Sequence, residues 1–417
     1  MSDAPVDRSH RLRRMTGRDP HEAHRTATPL ELLYDLTLVV AFSLAGSQFA
    51  HALVEDHLLE GLLGFGVAMF AITLAWINFS WFASAYDTDD AFMRMATLVQ
   101  MVGVLIIALG LHDVFEGFNH GEFDNAVLVA GYVTMRVSMV VLWARAARHD
   151  PERRSTCLAY ARGISVVQAF WIVSALDLLP AAGQVVLAIV LFAVEVGGTI
   201  WIETHFPSTP WHPHHIAERY ALLAIITFGE VVLGTTTAIE AVVAEQGWSA
   251  DAAAIALAGV SLAVGLWWCY FIVPYGEALR GSNARSMLFG FGHMLLYAAI
   301  AATGAGLHAA AYLLEHRSEL DTAQTVLTMA IPVGLFAVVL FALFHVMFPG
   351  RDPLHYWLLG GTLVVLVAAW LLAAGGASMT VSLAVLMLAP WVTVVGYELR
   401  GHRHATEVAG AHDDVAR

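Results

Sequence analysis

Twelve long apolar segments, separated by short polar breaks, dominate this chain and leave it few ways to fold. They lie near 29–54, 58–83, 91–112, 125–147, 156–177, 181–203, 215–238, 251–273, 286–313, 322–348, 354–374 and 377–399. Each reaches the roughly 20 residues that an α-helix needs to cross a bilayer, whereas a barrel strand needs only about 10 alternating ones. A helix also satisfies its own backbone polar groups, which lipid cannot do. The predicted fold class is therefore all-α, a polytopic helical membrane protein. Twelve spans require about 240 residues, and a chain of 417 residues, 58% hydrophobic and 13% charged, supplies them. That composition excludes a soluble enzyme of ordinary make-up and a disordered chain. Cys157 and Cys269 both sit in apolar runs and form no disulfide framework. A net charge of −14 without a basic, aromatic-interleaved patch argues against nucleic acid.

Arginine sets the expected orientation. The even-numbered connections carry Arg145, Arg148, Arg153 and Arg154, then Arg280 and Arg285, then Arg351. Residues 1–28 add Arg8, Arg11, Arg13, Arg14, Arg18 and Arg25, and the C-terminal end adds Arg400, Arg403 and Arg417. The odd-numbered connections hold only Arg317 and are otherwise acidic, with Asp113, Glu116, Glu122 and Asp124 in one of them. Both termini are predicted to lie in the cytoplasm. No short apolar stretch with a cleavage site follows the first arginines, so residues 1–28 read as a solvated, Arg-rich cytoplasmic arm.

The halves resemble each other. Leu74-Ala75-Trp76 and the aromatic run to Tyr86-Asp87 correspond to Gly265-Leu266-Trp267 and the run to Tyr275, and Arg94 falls on Arg285 at the same offset. The expected organisation is an arm (1–28), a first six-helix repeat (29–203), a His/Pro-rich cytoplasmic connection (204–214), a second six-helix repeat (215–399) and a cytoplasmic tail (400–417). Six spans per half give both copies one orientation, and paths in such folds run along the interface between copies.

Ionisable side chains at membrane depth are costly unless paired or hydrated, which makes them functional candidates. Glu31 and Asp35 lie four apart on one helix face, Arg136 lies in the middle of the fourth span, Arg162 in the fifth, and Glu195 in the sixth before Gly197-Gly198. The seventh span contributes Glu218 and Arg219 near its start and Glu230 deeper, beside Gly229. These positions suggest that the first seven helices surround a polar, cytoplasm-facing vestibule. Asp35 and Glu195 can each pair with Arg136 or Arg162, in which case the charges only fix helix register. Glu31 and Arg219 are near enough to the interface to snorkel. Glu230 has no basic residue at i±4 and reads as a proton or cation site.

His205, His212, His214 and His215, with Glu218 one turn beyond His215, invite a metal reading, but the stretch is Pro-rich and follows no ligand spacing. No metal site or cofactor is expected. Pro332 and Pro390 lie inside spans and free backbone groups there.

Two stretches carry a family likeness. Thr28-Pro-Leu-Glu31-Leu-Leu-Tyr34-Asp35-Leu-Thr-Leu-Val-Val-Ala-Phe42 resembles the opening helix of the bacterial low-temperature-requirement A (LtrA) proteins, E-L-F-F-D-L-V-F-V-x-A. His215-Ile-Ala-Glu218-Arg219-Tyr-Ala-Leu-Leu-Ala-Ile-Ile-Thr-Phe-Gly229-Glu230 resembles their second signature, H-x-x-E-R-x-x-L-x-x-I-I-x-x-G-E. Tyr34 and Thr37-Leu38 depart from the usual Phe and Val-Phe. The resemblance implies an integral protein of the bacterial inner membrane, linked to growth in the cold and without an established biochemical activity.

The leading expectation is a transporter or channel for a small ion or solute. Asp35, Glu230 and Glu195 are its ion- or proton-binding candidates, and Arg136, Arg162, Arg219 and Arg94 the charge partners. The competing readings are a membrane-embedded metal-dependent hydrolase using His215 and Glu218, and a non-catalytic envelope or cold-adaptation factor. The expected partners are the lipid bilayer and a small ion or solute, with a homo-oligomer left open.

Overall fold

The computed structural model describes residues 12–20, 22, 25–279, 283–348 and 353–400. Among the predicted cytoplasmic arginines, Arg8, Arg11, Arg280, Arg351, Arg403 and Arg417 lie outside these residues, as does the tail after Arg400. The elements are α1 (Pro29–Val54), α2 (Leu58–Tyr86), α3 (Ala91–Asn119), α4 (Ala126–His149), α5 (Arg154–Ser174), α6 (Ala181–His205) and α7 (Pro213–Gln246). Then come α8 (Ala250–Phe271), the single turn α9 (Tyr275–Ala278), α10 (Asn283–Leu314), α11 (Thr322–Met347), α12 (Pro353–Ala374) and α13 (Met379–Leu386). Among the described residues, twelve helical stretches are long and apolar enough to cross a membrane; the eighth joins α8 and α9, and the last runs on from α13 to Arg400. Among the described residues there is no strand.

Local chemistry sets the ends. Asp90, Ser249, Asp321 and Ser378 cap α3, α8, α11 and α13 by accepting the backbone N–H three residues on, and Asp321 with Gln324 completes a capping box. In the tight turns Asp56, Asp89, Asp177 and His316 take left-handed backbone conformations, which short polar side chains tolerate best. Many leucines and valines stand exposed along the spans, Leu32, Leu33 and Leu36 of α1 among them. For helices of this length and hydropathy that exposed surface is where lipid chains pack.

The chain divides into two compact units: Met1–Ala41 with Phe70–Arg219, and Phe42–Met69 with Tyr220–Arg417. In the first unit α3 and α4 approach backbone to backbone at Gly103, Gly110 and Gly131; a Cβ on Gly131 would sit 2.5 Å from the Ile107 nitrogen. The lower core is aromatic, with Trp143 stacked on Tyr160 at 4.3 Å and edge-on to Phe82 at 4.8 Å. In the second unit α10 is the central helix, 83% of its apolar window being buried, against 28% for α12. The buried Pro332 leaves α11 continuous. At Pro390 the carbonyl accepts from the Cys269 thiol and the neighbouring Ala389 carbonyl from Thr362.

The expected solvated arm is corrected by the structure. Arg13 donates its backbone N–H to Asp90 at 3.0 Å and its carbonyl accepts from Arg145 at 2.8 Å. Arg18 bonds the Ala85 carbonyl, Met15 is fully buried, and Arg25 is buried against Asp87 and the Ala83 carbonyl. The described part of the arm is a strap across the helix ends of the first unit. Its polar backbone is satisfied there by side chains that hydropathy reads as mere flanking charge.

Candidate functional site

The α1 acids start from a helix cap. Thr28 precedes Pro29, and its backbone N–H and hydroxyl both donate to Glu31 at 2.8 and 2.9 Å, while the Glu31 N–H returns to the Thr28 hydroxyl at 3.3 Å. One turn on, Asp35 shares the inward face with Glu31. On α7, Arg219 meets Asp35 through two parallel bonds of 2.7 and 2.8 Å, the bidentate geometry that suits guanidinium and carboxylate. Trp76 of α2 donates to the same carboxylate at 2.7 Å, and Ser80 accepts from Arg219 at 3.2 Å. The imidazole of His215 stands 3.1 Å from Glu31, and Arg219 approaches Glu31 at 3.9 Å. All four residues are 1% exposed or less. They form a sealed, close-packed network rather than the lining of a vestibule, and none of them snorkels. Tyr34 is buried beside them against Phe79, with no hydrogen-bond partner for its hydroxyl among the described residues.

Just outside the spans the network continues. The backbone N–H of Ala27 donates to Glu218 at 3.1 Å. Arg25 and Asp87 face each other at 3.7 Å. Burial pushes the Arg25 pKa below its ordinary value, and burial together with the nearby Glu31 charge pushes that of Asp87 above its own. Asp90 goes the other way. Burial disfavours its charge, but bonds from Arg145 and from the Met93 and Arg13 N–H groups outweigh it and hold the pKa at about 2.

A second network joins α4, α5 and α6. Arg136 bonds both Glu195 and the Tyr132 hydroxyl. Tyr132 donates to Glu195 at 2.6 Å and Trp171 does so at 3.0 Å. Arg136 therefore belongs to Glu195 and Arg219 to Asp35. Arg162, the expected alternative partner, is exposed, and Arg94 pairs with the exposed Asp89 instead of a buried acid. A cavity of about 90 Å³ opens here, lined by Arg136 and Glu195 and not by Asp35 or Arg219.

Glu230 stands apart, in the second unit. It is 4% exposed and accepts no hydrogen bond among the described residues. Glycines surround it: a Cβ on Gly46 would lie 3.5 Å from its carboxylate, and one on Gly304 would lie 2.6 Å from its backbone carbonyl. Gly229 beside it has open space.

The histidines take separate partners. His215 faces Glu31 while Glu218 accepts from Ala27, and His212 bonds the Glu22 carbonyl at 2.9 Å. His205 bonds the Trp201 carbonyl. Among the described residues no group of three or more His, Cys, Asp or Glu is placed to hold a metal ion.

Sequence reasoning missed Trp76, Tyr132 and Trp171 as carboxylate donors, the Asp90–Arg145 pair, and Glu203, which accepts from Tyr160 at 2.8 Å. Glu203 lies in the last turn of α6, where depth does not mark it.

The sequence profile of the bacterial low temperature requirement A protein (LtrA) matches residues 26–390. The chain belongs to the LtrA family. The two LtrA-like signatures meet at the first network: Glu31 and Asp35 come from one, His215 and Arg219 from the other. An uncharacterised protein of Rhizobium meliloti (strain 1021), RA0937, is 25% identical over 294 residues, 66% of this chain and 67% of its own length. No solved structure matches this LtrA chain.

Proposed function

We propose that this protein moves a small ion or solute across the bacterial inner membrane, with Glu230 as the proton- or cation-binding carboxylate. One contrast carries the reading. Glu31, Asp35, Glu195 and Glu203 each receive strong donors, whereas Glu230, itself 4% exposed, receives none among the described residues. An ionisable residue at membrane depth is a functional-site candidate by default, and one without a partner is the stronger candidate. In this reading the Asp35–Arg219 pair is a latch whose opening exposes both charges, and the arginine asymmetry puts both termini in the cytoplasm. The two halves, as tandem copies, supply the rocking elements.

The test is flux in proteoliposomes across a panel of ions and solutes. Glu230→Gln lowers the flux while leaving detergent monodispersity and thermal stability intact; unchanged flux in that variant excludes the carboxylate role. The hydrolase reading finds no comparable observation, since His215 and Glu218 are directed to different partners.

A further inference from the structure

The cavity between α5 and α6 has a polar floor of Arg136, Glu195 and Gln168 and walls that include Val167 and Ile202. Gln168 is 8% exposed, and neither atom of its amide has a partner among the described residues; the Arg136 Nε is in the same state. An unpaired buried amide is costly, and it persists here although Glu195, one helix away, receives three donors.

The glycines of this region are not demanded by packing. A Cβ on Gly198 would meet nothing within 4 Å, and one on Gly163 would meet only Ile202 at 3.9 Å. On α3 and α4, by contrast, added Cβ atoms would collide with backbone. Gly163 and Gly198 both line the cavity, so their effect is to keep space open. The charges of the floor cancel within the Arg136–Glu195 pair. An ionised ligand would add an unbalanced buried charge, which is expensive.

We propose that this cavity binds an uncharged amphiphile with a short apolar body and a head that both donates and accepts, a primary carboxamide or an alcohol. The head exchanges hydrogen bonds with the Gln168 amide and the Arg136 Nε, and the apolar body lies along Val167 and Ile202. Mostly apolar walls with a few fixed polar groups are the usual make-up of a small-molecule site. The site stands or falls independently of the Glu230 reading.

The test compares four-carbon probes differing only in their heads, butyramide, butanol, butyrate and butylammonium, by thermal unfolding of the full-length protein in detergent at neutral pH. A ligand of the native state raises Tm with its concentration. Butyramide or butanol is expected to do so, and butyrate and butylammonium not. Gln168→Leu abolishes the rise without lowering the ligand-free Tm, because it removes an unpaired amide. Gly198→Leu fills the cavity and abolishes the rise independently of Gln168. Equal shifts from all four probes, no shift from either uncharged probe, or a rise that survives Gly198→Leu would overturn the proposal.

Discussion

Asp35 and Glu230 are both buried carboxylates on long helices, and their surroundings give them opposite properties. Asp35 is fully paired, so removing its partner is what exposes the cost. Arg219→Met leaves Glu31 and Asp35 facing each other in a sealed site and is expected to destabilise by about 3–5 kcal/mol. The double variant Asp35→Leu/Arg219→Met should lose less than the sum of the two single variants, a coupling that denaturant titration in detergent measures. Asp90 sets an acid limit. Its pKa is held at about 2, below the ordinary 3.8. A depressed carboxylate contributes stability at pH values above its ordinary pKa and loses it as pH falls toward the depressed one. Stability should therefore decline between about pH 4 and pH 2, and Asp90→Asn should be less stable at neutral pH with a shallower decline; Tm against pH reports both. Asp35, Glu195 and Glu230 were legible in the sequence because depth marks them, whereas Asp90 and Glu203, at helix ends, were not. Nor were the partners: the sequence offered Arg136 or Arg162 to Asp35 and left Arg219 to snorkel, and Arg219 is the partner.

At the scale of the element, glycine has two uses in this protein that sequence does not separate. Gly131 is where α3 and α4 touch, and the atoms a Cβ would meet are backbone and cannot move aside. Gly131→Val should cost about 1–3 kcal/mol or more, while Gly197→Ala, with nothing within 4 Å, should gain up to about 1 kcal/mol from helix propensity; thermal unfolding of the two variants side by side checks the contrast. The apolar windows placed the helices well but stopped short where helices outlast the bilayer. The window at 91–112 became Ala91–Asn119, and the one at 215–238 became Pro213–Gln246. Hydropathy falls at the first charges, whereas a helix ends where a turn or cap ends it, as at His120 and Gly121 for α3.

For the molecule as a whole, the arginine distribution makes a claim about sidedness. Cys157 and Cys269 are buried and give little background to thiol reagents. A cysteine at the exposed Glu122, in an acidic connection, should be labelled from outside intact spheroplasts by an impermeant reagent. One at the exposed Glu152, in a basic connection, should be labelled only after permeabilisation. The reverse pattern would invert the topology. The arm illustrates a limit at this scale. Its arginines read as charge for a membrane surface, yet Arg13, Arg18 and Arg25 spend their backbone and side-chain bonds on the ends of other helices.

Sequence by itself determined that the chain forms twelve long apolar helices, that Asp35, Glu195 and Glu230 lie at depth, and that its two signatures are those of the LtrA family. These follow from local quantities: length, hydropathy, caps and the order of residues along one helix. Tertiary structure alone decided that Asp35 belongs to Arg219 and Glu195 to Arg136, that the arm is a strap, and that space is left beside Gln168. The physical reason is that lipid and protein interior are almost equally apolar. The face a membrane helix turns toward its neighbours is therefore chosen by packing and polar partners, and those come from segments far away in the chain.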